Sequence, residues 1–233
     1  MTQMRLDLEK MKMYFLTCNN PTRREHFLNE FKGYDVTEVH PVIDIPRYQS
    51  GSSGFSRMLD LGARNQDRTK PFQPFAIFED DVKHFRDFPS GIDIPDDADI
   101  LYIGLTNWGT NGTDFMASPD SVLYDDIDDH LIKVYNMCAT HGLIVCSAGG
   151  LLAIQKCMME SYFLNIGWDI HLSQIQPYYN VYALKHPLVY QYAPLGGYEI
   201  ETKIQYDTEC FTKYDKSMAN TTNASILACA QQF

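Results

Sequence analysis

The run Phe75-Ala76-Ile77-Phe78-Glu79-Asp80-Asp81-Val82 restricts the fold more than any other stretch. Four apolar residues, introduced by Pro71 and Pro74, read as a short strand buried on both faces. Three carboxylates follow at once. At the carboxyl end of a strand in an open α/β sheet they stand where such sheets bind ligands. Adjacent carboxylates repel, so holding them together calls for a cation or for open solvent. In extended geometry Glu79 and Asp81 share one side and Asp80 takes the other. That oxygen-rich pair suits Mg²⁺ or Mn²⁺. A solvated acidic turn fits the same letters.

Around this strand the chain alternates between strand-like and helix-like segments. Met13 to Cys18 predicts a first strand and Asn19-Asn20-Pro21 a turn. Thr22 then suits the cap of a helix with Phe27, Leu28 and Phe31 on its apolar side and Gly33 at its end. Val36 to Ile43 predicts the next strand, which makes the opening a βαβ unit and favours parallel pairing. Ile45 to Gly54 reads as loop. Within it, Ser50-Gly51-Ser52-Ser53-Gly54 has the composition of a phosphate-wrapping turn but lacks the lysine and spacing of a P-loop. Phe55 to Ala63 predicts a short helix.

Further strands are expected at Ile100 to Gly104, Leu131 to Met137, His141 to Cys146, Tyr178 to Ala183 and Leu188 to Tyr192. One helix should follow Ser147 and another should begin near Gly167-Trp168-Asp169. Residues 107–129 read as a long polar excursion, and the acids Asp125, Asp126, Asp128 and Asp129 within it as solvated surface, since their spacing matches no EF-hand. The expected class is therefore α/β: a single domain over residues 13–205 with a mostly parallel central sheet flanked by helices. Residues 1–12 would be an N-terminal extension, and 206–233 a polar tail or final helix, or the lead into a further domain.

Charge narrows the partners. The 233 residues include 30 acidic and 19 basic side chains, a net charge of −11. That balance disfavours an electrostatic grip on nucleic acid or on an anionic membrane. No apolar stretch approaches the roughly 20 residues that cross a bilayer. Six cysteines without a CxxC pair or zinc spacing look reduced and mostly buried. With no secretory signal in Met1 to Lys10, the expectation is a cytoplasmic protein.

Several pieces, taken in order, resemble glycosyltransferase family 25, the lipopolysaccharide and collagen galactosyltransferase type. Phe78-Glu79-Asp80-Asp81-Val82 is similar to that family's Glu-Asp-Asp-Val signature, which serves as its DxD motif. Asn20-Pro21-Thr22-Arg23-Arg24 resembles the Arg-rich turn after the family's first strand. Leu101-Tyr102-Ile103-Gly104 is similar to the strand after the signature. His141-Gly142-Leu143-Ile144-Val145, with Ser147 and Gly149-Gly150 behind it, resembles the later strand-to-helix passage. Trp168-Asp169 and Pro187-Leu188-Val189-Tyr190-Gln191 resemble its closing segments. The likeness spans Met13 to Gln191. It departs at Gly54-Phe55-Ser56-Arg57, where the family's Cys and His are missing and Arg57 is the nearest substitute. The compact length resembles the bacterial and large-DNA-virus members, the chlorovirus glycosyltransferases among them.

The resemblance implies a GT-A (Rossmann-like, nucleotide-sugar-binding) fold. It also implies a hexosyltransferase moving a sugar from a nucleotide-sugar donor, most often a UDP-sugar, to a glycan or glycoprotein acceptor. Mn²⁺ or Mg²⁺ would be held by Asp81, with Glu79 as second ligand or acting through water. Asp80, Thr17, Asn19, Arg24, Arg57 and His171 would contact the donor. Asp169 would be the base or the acceptor-orienting carboxylate, although an aspartate at that place also suits a helix start. Trp108 and Trp168 are candidates for stacking on a sugar or a base. Clustered acids equally fit a Mg²⁺-dependent phosphoryl- or nucleotidyl-transfer enzyme, and a non-catalytic carbohydrate-binding module remains a third reading.

Overall fold

The computed structural model describes residues 2–110, 116–196 and 211–214. The first half runs β1 (Gln3–Leu6), β2 (Lys12–Leu16), α1 (Pro21–Glu30), β3 (Val36–Val39), α2 (Arg47–Arg64), β4 (Phe75–Glu79), β5 (Val82–His84), β6 (Ile92–Pro95) and β7 (Ile100–Tyr102). The second runs β8 (Gly109–Thr110), β9 (Ala117–Ser118), β10 (Leu123–Asp126), β11 (Leu131–Val134), β12 (Gly142–Val145), α3 (Ala148–Leu164), α4 (Trp168–Ile175), β13 (Val181–Leu184), β14 (Val189–Gln191), α5 (Ala193–Gly196) and β15 (Thr212–Lys213).

Nine strands form one sheet in the order β15-β10-β11-β13-β7-β12-β4-β2-β3. The opening β2-α1-β3 unit is parallel, as is the pairing of β2 with β4. β13 and β7 are also parallel, whereas β12 runs antiparallel to both β4 and β7. The α/β class is as expected, with a mixed sheet whose parallel run, β4-β2-β3, carries the acidic strand at its inner side.

Period-two alternation sorts the side chains into two layers. Along β2, Tyr14 and Leu16 face one layer, Met13 and Phe15 the other; along β4, Phe75 and Ile77 oppose Ala76 and Phe78. The first layer is covered by α2, α3 and α4 through Phe55, Met58, Ile154 and Leu172. The second is covered by α1, whose Phe27 stacks on Phe15 and Phe31 with ring centroids 4.2 Å apart in each pair. Such pairs contribute about 1 kcal/mol each beyond their area. Burial on both faces is why these strands read as near-continuous apolar runs.

Four local expectations change. Asn20, not Thr22, caps α1: its Oδ1 accepts from the amides of Thr22 (3.0 Å) and Arg23 (3.3 Å), and Pro21 begins the helix. The segment read as loop over Ile45 to Gly54 is instead mostly helix, since α2 starts at Arg47. Its glycines are there for contact: a Cβ on Gly51 would lie 2.2 Å from the Trp168 ring, and one on Gly54 2.2 Å from Leu16. The excursion over 107–129 contributes β8, β9 and the sheet strand β10. Residues 2–12 do not trail away: β1 pairs antiparallel with β6, and Leu6, Leu8 and Met11 are buried. Of the tail expected over 206–233, only 211–214 belong to the described residues; there β15 adds in parallel to β10.

Candidate active site

The carboxyl ends of β2 and β4, the start of α1, the start of α2 and the start of α4 converge on a cleft of about 760 Å³. That volume lies within the range of small-molecule sites. Its floor is the acidic tip of β4.

Asp80 and Asp81 are each 1% exposed. Asp80 is fully engaged. Its Oδ2 accepts from the amide of Cys18 (2.8 Å) and both oxygens lie within 3.3 Å of the Cys18 thiol. Arg23 Nε stands 2.7 Å from its Oδ1. Asp81 is half engaged: Oδ2 accepts from Gln191 Nε2 (3.0 Å) and lies 2.7 Å from an Arg23 terminal nitrogen. Its backbone carbonyl accepts from the Tyr192 amide at 2.7 Å. Asp81 Oδ1 is buried without a partner among the described residues. Burial raises the Asp81 carboxyl above its ordinary range, against the opposing pull of Arg23.

Glu79 closes β4. Its Oε1 accepts from the Thr140 hydroxyl at 2.5 Å, and Thr140 Oγ1 accepts in turn from the Trp168 indole N–H at 3.0 Å. Burial first, and the Asp81 charge second, push the Glu79 carboxyl up to about 8. Asp169 sits in the first turn of α4, with Gly167 rather than itself at the capping position. It lines the cleft; burial raises its carboxyl, while the Ile170 amide, donating to Oδ1 at 3.0 Å, and then the Arg47 charge lower it.

Of the residues singled out from the sequence, the structure thus brings Glu79, Asp80, Asp81 and Asp169 together. Five others stand apart from the cleft lining. Thr17 is buried, its amide donating to the Val39 carbonyl. Asn19 shapes the exposed turn with φ 57°. Arg24 pairs with Glu38 on the surface, 2.7 Å away. Arg57 donates to the His40 carbonyl at 2.6 Å. His171 faces α3, its Nδ1 3.9 Å from Glu160.

The sequence reading missed Arg23, Arg47, Thr140 and Gln191. Arg23 had a partial signal: Asn20-Pro21 is itself a helix start that puts Arg23 in the first turn, while packing against β4 sets where its side chain points. Thr140 and Gln191 reach the acids across 61 and 110 residues of chain, where no local pattern reports on them.

Among the described residues, no three His, Cys, Asp or Glu side chains converge to hold a metal ion by themselves. A divalent ion that arrives with a diphosphate needs only one or two carboxylates from the protein. The bare Asp81 Oδ1, with Glu79 beside it, fits that lesser demand. Asp80, with both oxygens taken, does not. The other side of the cleft is of opposite character. α2 starts with no side-chain cap, and Arg47, Tyr48, Ser50 and Gly51 of its first turns line the space. A helix start with free amides and an arginine favours an anion.

Fold and site together define an α/β protein with a ligand cleft at the carboxyl ends of its central strands. No protein-family model matches the chain, and no curated protein matches it significantly. Among solved structures, the CTP:phosphocholine cytidylyltransferase of Streptococcus pneumoniae overlaps with a TM-score of 0.39 at 13% identity, over 78% of this chain and 93% of that one. No helix among the described residues is long and apolar enough to cross a membrane.

Proposed function

We propose that the chain is a metal-dependent glycosyltransferase of the family 25 type, moving a sugar from a nucleotide-sugar donor to a hydroxyl of a glycan. One observation carries this reading. A single cleft offers a bare buried carboxylate oxygen, Asp81 Oδ1, on its floor and an uncapped helix start with Arg47 on its wall. The first suits a divalent cation and the second a phosphate, so the pair suits a metal-bound diphosphate.

A divalent ion bound there, Mn²⁺ or Mg²⁺, would offset the negative charge that grows on the departing nucleotide. The chain's own residues do the rest. Asp81 supplies an oxygen for the cation, and Glu79, steadied by Thr140, stands next to it. Arg23 and the Cys18 amide hold Asp80 in place, which fixes the direction of Asp81 beside it. Asp169 faces the same space from α4 and accepts the proton, or orients the hydroxyl, of the acceptor; burial lifts its affinity for a proton toward that task.

A thermal-shift panel of UDP- and GDP-sugars with and without Mn²⁺, followed by assay for nucleotide release, tests the reading. Ligands that bind only the native state raise its apparent stability. The expected result is a shift with a UDP-sugar that depends on the cation. Stabilisation by nucleoside triphosphates alone, with no nucleotide-sugar response, would move the assignment to nucleotidyl transfer.

A further inference from the structure

The two tryptophans of the chain are placed very differently. Trp168 is a wall: its N–H is bound to Thr140, its ring lies 5.5 Å from Phe55, and Gly51 packs on its face. Trp108 also lines the cleft, yet it is 42% exposed. Its indole makes no hydrogen bond or ring contact among the described residues. A large aromatic left open on a cleft rim is the informative kind of exposure.

Its backbone is nonetheless fixed on both sides. The Cys138 amide donates to the Trp108 carbonyl at 2.8 Å, and the Trp108 amide donates to Thr106 Oγ1 at 3.3 Å. One residue on, Ser121 Oγ donates to the Gly109 carbonyl at 2.9 Å. Buried Asn136 donates to the Thr110 carbonyl at 2.9 Å, and the Thr110 hydroxyl lies 2.9 Å from Ser173 on α4. An exposed ring on so well-tied a backbone is a preformed surface.

Its position separates it from the acids. Trp108 follows β7, and β12 lies between β7 and β4 in the sheet. Two strand spacings separate the ends of β7 and β4 by about 10 Å, and Trp108 stands on the loop beyond β7. Asp169 lies within electrostatic reach of that loop: burial first, and its charge second, raise the thiol of Cys138, whose amide donates to the Trp108 carbonyl.

Resting on the transferase reading, we infer that Trp108 is the platform for the acceptor, stacking on the apolar C–H face of a pyranose ring and presenting one of its hydroxyls toward Asp169. The flat indole and its unused N–H suit a ring that is apolar on its face and polar at its edge.

The test uses the full chain and three probes: methyl β-galactoside, methyl β-glucoside and methyl α-mannoside. Fluorescence excited at the red edge, where tyrosine does not absorb, reports on Trp108 and Trp168. At least one glycoside is expected to give a saturable change in the wild type. Ligand-detected NMR then measures affinity for that glycoside without relying on the indole. Trp108→Ala should weaken it about tenfold, and Trp108→Phe should restore most of it. Affinity for a UDP-sugar with Mn²⁺ should stay unchanged in both variants, and their melting temperatures should match the wild type.

The inference is overturned by no saturable response to any of the three glycosides, or by equal affinity in a folded Trp108→Ala. A glycoside response at Trp108 in a protein that ignores every UDP- and GDP-sugar leaves the sugar platform standing and removes the transferase reading. UDP-sugar binding with glycoside affinity indifferent to Trp108 does the reverse.

Discussion

Arg23 and Asp81 lie 2.7 Å apart, guanidinium nitrogen to Oδ2, at the tip of β4. The carboxylate with one bare oxygen therefore already has a counter-charge on its other oxygen. Arg23 bridges to Asp80 as well, with only 17% of its side chain exposed. Two of the three acids are bridged by one internal cation and the third is held by Thr140, so the site can exist folded before any ligand arrives.

Removing that cation should be costly. Arg23→Ala is expected to lower unfolding free energy by about 3 kcal/mol, because Asp80 and Asp81 would remain buried without compensation. Arg23→Lys should recover part of it. Urea denaturation measures the loss, and added Mn²⁺ should reduce it in the alanine variant. A loss below about 1 kcal/mol would show that the pair behaves as a solvent-exposed bridge.

Asp81→Asn should keep the fold and weaken cation-dependent binding of a UDP-sugar by more than about 100-fold, a loss beyond what outer-shell changes at metal sites produce. Calorimetric titration with Mn²⁺ present reads it directly. Unchanged affinity would take Asp81 out of the cation site.

Asp169→Asn should leave donor affinity alone and slow transfer about 100-fold, the usual scale for a lost proton-transfer group. Measuring nucleotide binding and turnover on the same preparation separates the two. Lost nucleotide affinity would place Asp169 on the donor side.

Stability of the metal-free protein should change with pH in two opposed ways. Glu79 is raised from an ordinary 4.5 to about 8, so the stability gained by keeping it protonated is full below 4.5 and lost as pH rises through about 8. Glu79→Gln should flatten that fall and exceed the wild type above about 8. His141 is buried and lowered from 6.5 to about 4. Its contribution is full above 6.5 and lost as pH falls toward about 4; His141→Gln should remove that loss. The two effects oppose each other between 4.5 and 6.5, so each is read as the difference between variant and wild type in thermal melts across pH.

What could be read in advance follows from how local each signal is. β4 was legible because burial on both faces leaves an unbroken apolar run and the acids mark its end. The βαβ opening was legible from its strand-turn-helix chemistry. α2 was not: Ser50 to Gly54 carries the letters of a loop, and each glycine costs a helix about 1 kcal/mol. Packing outweighs that cost, since Trp168 and Leu16 occupy the space that side chains at Gly51 and Gly54 would need. Arg24 enters the expected site through the likeness of its Arg-rich turn, which does not separate it from Arg23. Neighbouring helix positions point about 100° apart, and on α1 that sends Arg24 to Glu38 and Arg23 to the acids.

The pairing of β1 with β6 bears on how this protein is trimmed for laboratory work. A clone begun at Met13, within the first strand of the main sheet, would look tidy on paper. It would also strip Leu6, Leu8 and Met11 from the interior and leave Ile92 and Ile94 uncovered. At about 2 kcal/mol for each large apolar side chain, such a fragment forfeits a sizeable part of its margin. Solubility screens of shortened versions should keep the first dozen residues.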